Sequence, residues 1–212
     1  MAQSNYDIMR DDAARLFAQT DHSSAAARFG LQEQDGWLTL EFFGFPYRVS
    51  TSTGVAQRLV NGAWETAGYN DAMTIYDLLG YSQPTCHAGG QMINTRSLHI
   101  KMASTAPSPT DLFARHGTLL GEHLEQLPAA FEAMGGTALK RGDASARFTV
   151  FADLKMQVQV WAADEDFPAT VELFWDENVL QYMHYETVWY ANGFILNEIE
   201  AQVAPDDPSS RR

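Results

Sequence analysis

The chain has 212 residues, 45% hydrophobic and 12% aromatic, with a formal charge of −13 and a sequence pI near 4.7. That length and apolar content suit a globular protein with a sizeable core and exclude a disordered one. The negative field repels nucleic acid and anionic lipid, so neither is expected as a partner.

The first residues, MAQSNYDIMRDDAARL, carry acids where a signal peptide carries an apolar run. Residues 7–20 then read as a helix, with Ile8, Ala14, Leu16 and Phe17 apolar and Arg10, Asp11, Asp12 and Arg15 facing water. After Gly36, residues Leu38, Leu40 and Phe42 alternate with Trp37, Thr39 and Glu41, which is strand period. Gly44 punctuates that run, and Pro46 points to an edge strand or a first strand position. Residues 55–60 read as a further strand ended by Asn61-Gly62, a hairpin signal. The first third is thus a small antiparallel meander behind one helix.

Asn70 or Asp71 is placed to cap a helix through Met73, Ile75, Tyr76, Leu78 and Leu79, with Gly80 as its stop. Residues 81–109 show no clear period; Gly89-Gly90 marks a turn and the APSP run at 106–109 a loop. Thr110 or Asp111 opens another helical stretch. Pro128 either breaks it or begins the next helical turn, and Gly135-Gly136 closes the segment.

Beyond Gly142 the period becomes two. Met156, Val158 and Val160 share one face of a strand, with Gln157, Gln159 and Trp161 on the other. Val171, Leu173 and Trp175 form the matching face of a second strand, and the short connection predicts antiparallel pairing. Residues 147–151 supply a third strand, and a helix over 186–200 carries Val188, Ala191, Ile195 and Ile199 as one stripe. The pattern predicts one α+β domain over 1–200, its N-terminal meander and C-terminal hairpin packed with helices, and a flexible tail at 201–212.

The run from GDASARF through VQVWAADEDFPATVELFWDENVLQYMHYETVWYANGFIL, together with GWLTLEFFGFPYRV, resembles the bacterial and archaeal domain-of-unknown-function 3786 family. The likeness covers roughly 7–200 and rests on three features: the acidic turn before Phe167-Pro168, Asp176 closing a strand, and Glu186 opening the last helix. Some members resemble fusions to a cysteine-rich iron–sulfur segment of the kind seen in corrinoid proteins. The resemblance therefore implies a link to corrinoids or other tetrapyrroles. This chain departs from that pattern, because Cys86, its one cysteine, forms no internal disulfide and cannot hold such a cluster alone.

The candidate site gathers around the start of the last helix. His184 stands between Met183 and Tyr185, where it is a candidate general base, metal ligand or axial ligand to a macrocycle, or a satisfied structural histidine. Asp176 and Glu186 are the carboxylates that would act with it, although an acid at a strand exit serves the turn and one in a first helical turn favours the dipole. Trp161 and Trp189 either pack or wall a pocket for a flat ligand. The expected pocket lies beside His184, between the 169–176 strand exit and the helix start, whose free N–H groups suit a ligand carboxylate or phosphate.

Asp164, Glu165 and Asp166 are expected to be exposed and to hold no tightly bound ion. His116 and His123, seven apart, stand about 10 Å from each other on one helix, too far for one zinc. Motifs for phosphate loops, nucleophile elbows and zinc helices are absent from the sequence. The reading is a cytoplasmic ligand-binding or accessory protein for a small molecule or a flat cofactor such as a corrinoid, with the cofactor's identity and the oligomeric state left open. The alternative is an enzyme using His184 with Asp176 or Glu186 as acid–base or metal-binding groups.

Overall fold

The computed structural model describes residues 4–98 and 110–204. Among these are seven α-helices and two antiparallel sheets of five strands each, an α+β architecture. No helix among the described residues is long and apolar enough to cross a membrane. The described residues group into two compact units, 4–87 with 178–191, and 88–98 and 110–177 with 192–204.

The first unit carries β1 (Gln32–Gln34), β2 (Trp37–Phe42), β3 (Phe45–Ser50), β4 (Ala56–Val60) and β5 (Ala63–Thr66), paired in that order as the expected meander. Asn61 (φ 49°) and Gly62 (φ 82°) form the β4–β5 turn, whose twist matches the flanking strands. Phe43 (φ 50°) and Gly44 (φ 74°) repeat the device between β2 and β3. Phe43 occupies the left-handed region while almost fully buried, so packing of its ring offsets the backbone cost. Pro46 lies second in β3, an interior strand, and not at the expected edge or first position. The pairing of β3 with β4 takes in Tyr47 to Val49, so Pro46 falls outside that ladder.

Helix α1 (Asn5–Phe17) is held by a capping box between Ser4 and Asp7. α2 (Ser23–Phe29) ends at Gly30 in the left-handed conformation. α3 (Tyr69–Gly80) starts before the residues expected to cap it, with Gly68 at the cap. Asp71 instead turns inward, where the Tyr47 hydroxyl donates to its Oδ2 at 2.8 Å. The carboxyl thus serves a partner from the sheet as well as backbone N–H groups of its own first turn. Burial pushes the Asp71 carboxyl above its ordinary value, against the opposing pull of the Tyr47 bond, backbone N–H groups and Arg58.

The second unit carries β6 (Met92–Asn94), β7 (Thr137–Ala138), β8 (Ala144–Phe151), β9 (Leu154–Trp161) and β10 (Thr170–Asp176), in the spatial order β6-β10-β9-β8-β7. The expected β9–β10 hairpin is present, with Leu173 opposite Val158 and Val171 opposite Val160. Met156, Val158, Val160, Val171, Leu173, Ile195 and Ile199 are all buried. Gln157 and Gln159, on the other face, are buried as well. β6 was invisible to periodicity because three residues span less than two repeats of a strand.

Helix α4 (Thr110–Glu122) lies on β9 and β10. Its approach depends on Gly117 and Gly121: a Cβ on the first would stand 3.0 Å from Ala169 O, and on the second 2.3 Å from Ala169 Cβ. Pro128 opens α5 (Leu127–Ala133), the second of its two expected roles. Two helices follow the second sheet, the short α6 (Val179–Tyr182) and the long α7 (Tyr185–Val203). Residues 185–191 of α7 belong to the first unit and 192–203 to the second. The helix runs into the expected tail, whose remainder from 205 lies outside the described residues, as does the expected loop at 106–109.

Candidate functional site

Asp77 and Tyr81 stand one helical turn apart at the end of α3, so they share a face. Asp77 is the lone acid in an apolar run, flanked by Tyr76, Leu78 and Leu79. Its carboxylate takes two hydrogen bonds from one residue. The backbone N–H of His184 donates to Oδ2 at 2.7 Å, and His184 Nδ1 lies 2.7 Å from Oδ1. The imidazole also lies against the Tyr81 ring, with centroids 3.6 Å apart and planes at 37°. His184 is therefore held on three counts at the start of α7. Its side chain is nonetheless 54% exposed, while that of Asp77 is 16% exposed.

The remaining sequence candidates are distributed differently. Glu186 is exposed, two residues after His184. Trp189 is half-buried and meets Tyr185 edge-on, with ring centroids 6.2 Å apart. Asp176 and Trp161 belong to the second unit, whereas His184, Glu186 and Trp189 belong to the first, so the five do not form a cluster within either unit. Asp176 is buried and its oxygens accept from Gly89 N–H at 2.9 Å and Gly90 N–H at 2.8 Å. That clamp fixes the Gly-Gly turn leading into β6, the backbone role a carboxylate at a strand exit readily fills. Trp161 lies over the chain at Gly142, where an added Cβ would stand 3.3 Å from its ring.

The acidic turn 164–166 is exposed. Asp164 Oδ1 accepts from the N–H groups of Asp166 at 2.9 Å and Phe167 at 2.7 Å, and Asp164 N–H donates to Phe167 O at 2.9 Å, so the turn is closed by its own groups. Among the described residues no group of three or more His, Cys, Asp or Glu side chains is arranged to hold a metal ion. A cavity of about 430 Å³ lies between α1 and the β3–β4 connection, lined by Ile8, Asp11, Ala14, Arg15, Thr53 and Val55. It contains none of the candidate site residues named from the sequence, among which His184 carries the oriented imidazole.

A second histidine–carboxylate pair escaped the sequence reading. His116 Nδ1 lies 2.5 Å from Glu200 Oε1, with Arg115 Nη2 3.5 Å from the other oxygen. Both members of the pair are buried, His116 on α4 and Glu200 on α7. The sequence reading weighed His116 only against His123 and set it aside.

The fold and this geometry define an α+β protein that displays a carboxylate-held imidazole on the surface of its first unit. The chain belongs to the family described as Domain of unknown function (DUF3786), whose model matches residues 21–198. No curated protein and no solved structure matches it.

Proposed function

We propose that the chain is a cytoplasmic binding or accessory protein that offers His184 as an axial ligand to the metal of a flat cofactor, such as a corrinoid or another tetrapyrrole. The observation carrying this reading is the exposed imidazole held by Asp77 at 2.7 Å. A single imidazole holds a bare metal ion only weakly but suffices where a macrocycle fills the other positions. The residues present fit one such bond. His184 would supply it, Asp77 would orient the ring, and Tyr81, 37% exposed, would offer an aromatic face beside it. When bound, the cofactor's metal supplies the redox or ligand-exchange chemistry. The lone cysteine, which can form no internal disulfide, supports a reducing compartment as its home.

The enzyme alternative, with Asp176 or Glu186 assisting His184, has less support. Asp176 is engaged with two glycine N–H groups, and the carboxylate on the imidazole is Asp77. The test is absorption titration of the full chain with ferric haem and with a cobalamin. Wild type should shift the cofactor spectrum, and His184→Ala should abolish the shift while melting at nearly the same temperature. A cofactor spectrum that stays unchanged with wild type removes the proposal.

A further inference from the structure

We propose that Asp77 is the positioning residue of this site: its two oxygens leave Nε2 as the one nitrogen His184 offers, and they occupy the helix start that an anionic ligand would otherwise use. The site then selects an electron-pair acceptor, such as a metal centre, over a carboxylate or phosphate. The inference deepens the axial-ligand reading and rests on it for the choice of His184 as the contact.

Three observations carry it. An ionised carboxylate only accepts hydrogen bonds, so Oδ1 at 2.7 Å from Nδ1 requires a proton on Nδ1. In the neutral ring the lone pair then sits on Nε2, the atom across the ring from Asp77, on a side chain that is 54% exposed. A carboxylate behind a ligating histidine also holds its orientation, as in metal sites generally. Second, the Tyr81 ring at 3.6 Å limits the ring's rotation about its last bond, so the direction of the lone pair is set along with its position. Third, Oδ2 accepts the His184 N–H at 2.7 Å. The first turn of a long helix attracts anions through such free N–H groups and its positive end. Here a carboxylate of the protein already lies there, and Glu186 adds a second acid within that turn. A ligand carboxylate or phosphate would meet two negative groups, whereas a metal centre would meet a favourable field.

Asp77→Ala deletes both acceptors. Asp77→Asn keeps one acceptor but places an amide donor near the other N–H, so the two variants perturb the site differently. The probe is the full chain with ¹⁵N-labelled histidine, examined by long-range ¹H–¹⁵N NMR, which reads the proton position without any ligand. In its neutral form wild-type His184 should carry its proton on Nδ1, and Asp77→Ala should shift the population toward the Nε2-protonated form. A change in fold alone would not move that ratio in one direction while leaving His87 unaltered. Exposed His87 is the internal control, since its Nδ1 faces only the Thr85 carbonyl, at 3.0 Å.

Nickel(II) should broaden His184 at lower concentration than His87, and Asp77→Ala should weaken that binding about 10–100-fold. Inorganic phosphate should shift neither residue. Protonation of wild-type His184 on Nε2 overturns the proposal, as does a tautomer ratio indifferent to Asp77 or a phosphate titration centred on residues 184–186. If the tautomer and the nickel preference hold while neither haem nor cobalamin binds, the macrocycle reading falls and the positioning role of Asp77 stands.

Discussion

Asp77 holds His184 at 2.7 Å in the first unit, and Glu200 holds His116 at 2.5 Å in the second, through the same ring nitrogen in each case. The chemistry of the two pairs is nearly identical, but their surroundings are opposite. His184 is 54% exposed, whereas His116 and Glu200 are 2% and 0% exposed. Water screens the first pair, so it contributes little to folding and is available to a ligand. The second has surrendered its hydration, so its members depend on one another and on Arg115. How open a histidine–carboxylate pair is to a ligand therefore follows from its exposure, not its composition.

The sharpest way to break that contrast is Glu200→Ala, which strands His116 in the interior. Loss of one member of a buried pair should cost about 3–5 kcal/mol, read from urea unfolding. A cost near that of an exposed pair, under about 1 kcal/mol, would mean that burial does not separate the two. Val158→Ala calibrates the same unit with an apolar deletion from the β9–β10 core. It should cost about 1–3 kcal/mol without altering any pH dependence.

Asp71 extends the comparison to a buried carboxyl whose side-chain partner is a tyrosine hydroxyl. Its pKa is raised by burial above the ordinary 3.8, so between 3.8 and the folded value the native state binds more protons than the unfolded chain. This group's contribution to stability is thus fully present below pH 3.8 and is lost as pH rises through the folded pKa. Asp71→Asn, whose amide oxygen still accepts from Tyr47, should flatten that fall in denaturation curves taken across the acid range. A slope identical to wild type would assign the pH dependence to other groups. The smallest effect on stability belongs to His184→Ala, expected to change unfolding by under about 1 kcal/mol. Should that variant unfold as readily as Glu200→Ala, the exposed pair is itself a brace.

The local elements were legible because their cause is local. Alternation at Val158, Val160, Val171 and Leu173 gave the β9–β10 hairpin, and the spacing of Val188, Ala191, Ile195 and Ile199 gave α7, since period and burial are two expressions of one face. Asn61-Gly62 gave its turn through backbone sterics alone. His184 was legible as a polar group at a helix start, and Asp176 as a turn carboxylate, although the glycines it clamps lie 86 and 87 residues away. The site's own chemistry was not legible. Asp77 lies 107 residues from His184, and Glu200 lies 84 from His116, so no window of sequence contains either pair. Asp71 shows the same limit at shorter range, because the hydroxyl that turns it inward comes from a strand 24 residues earlier. By itself the sequence determined which segments coil or extend and which faces seek the core. Only the tertiary structure decided which carboxylate meets which histidine, and how much water each pair retains, because both depend on what the packing of distant segments brings together.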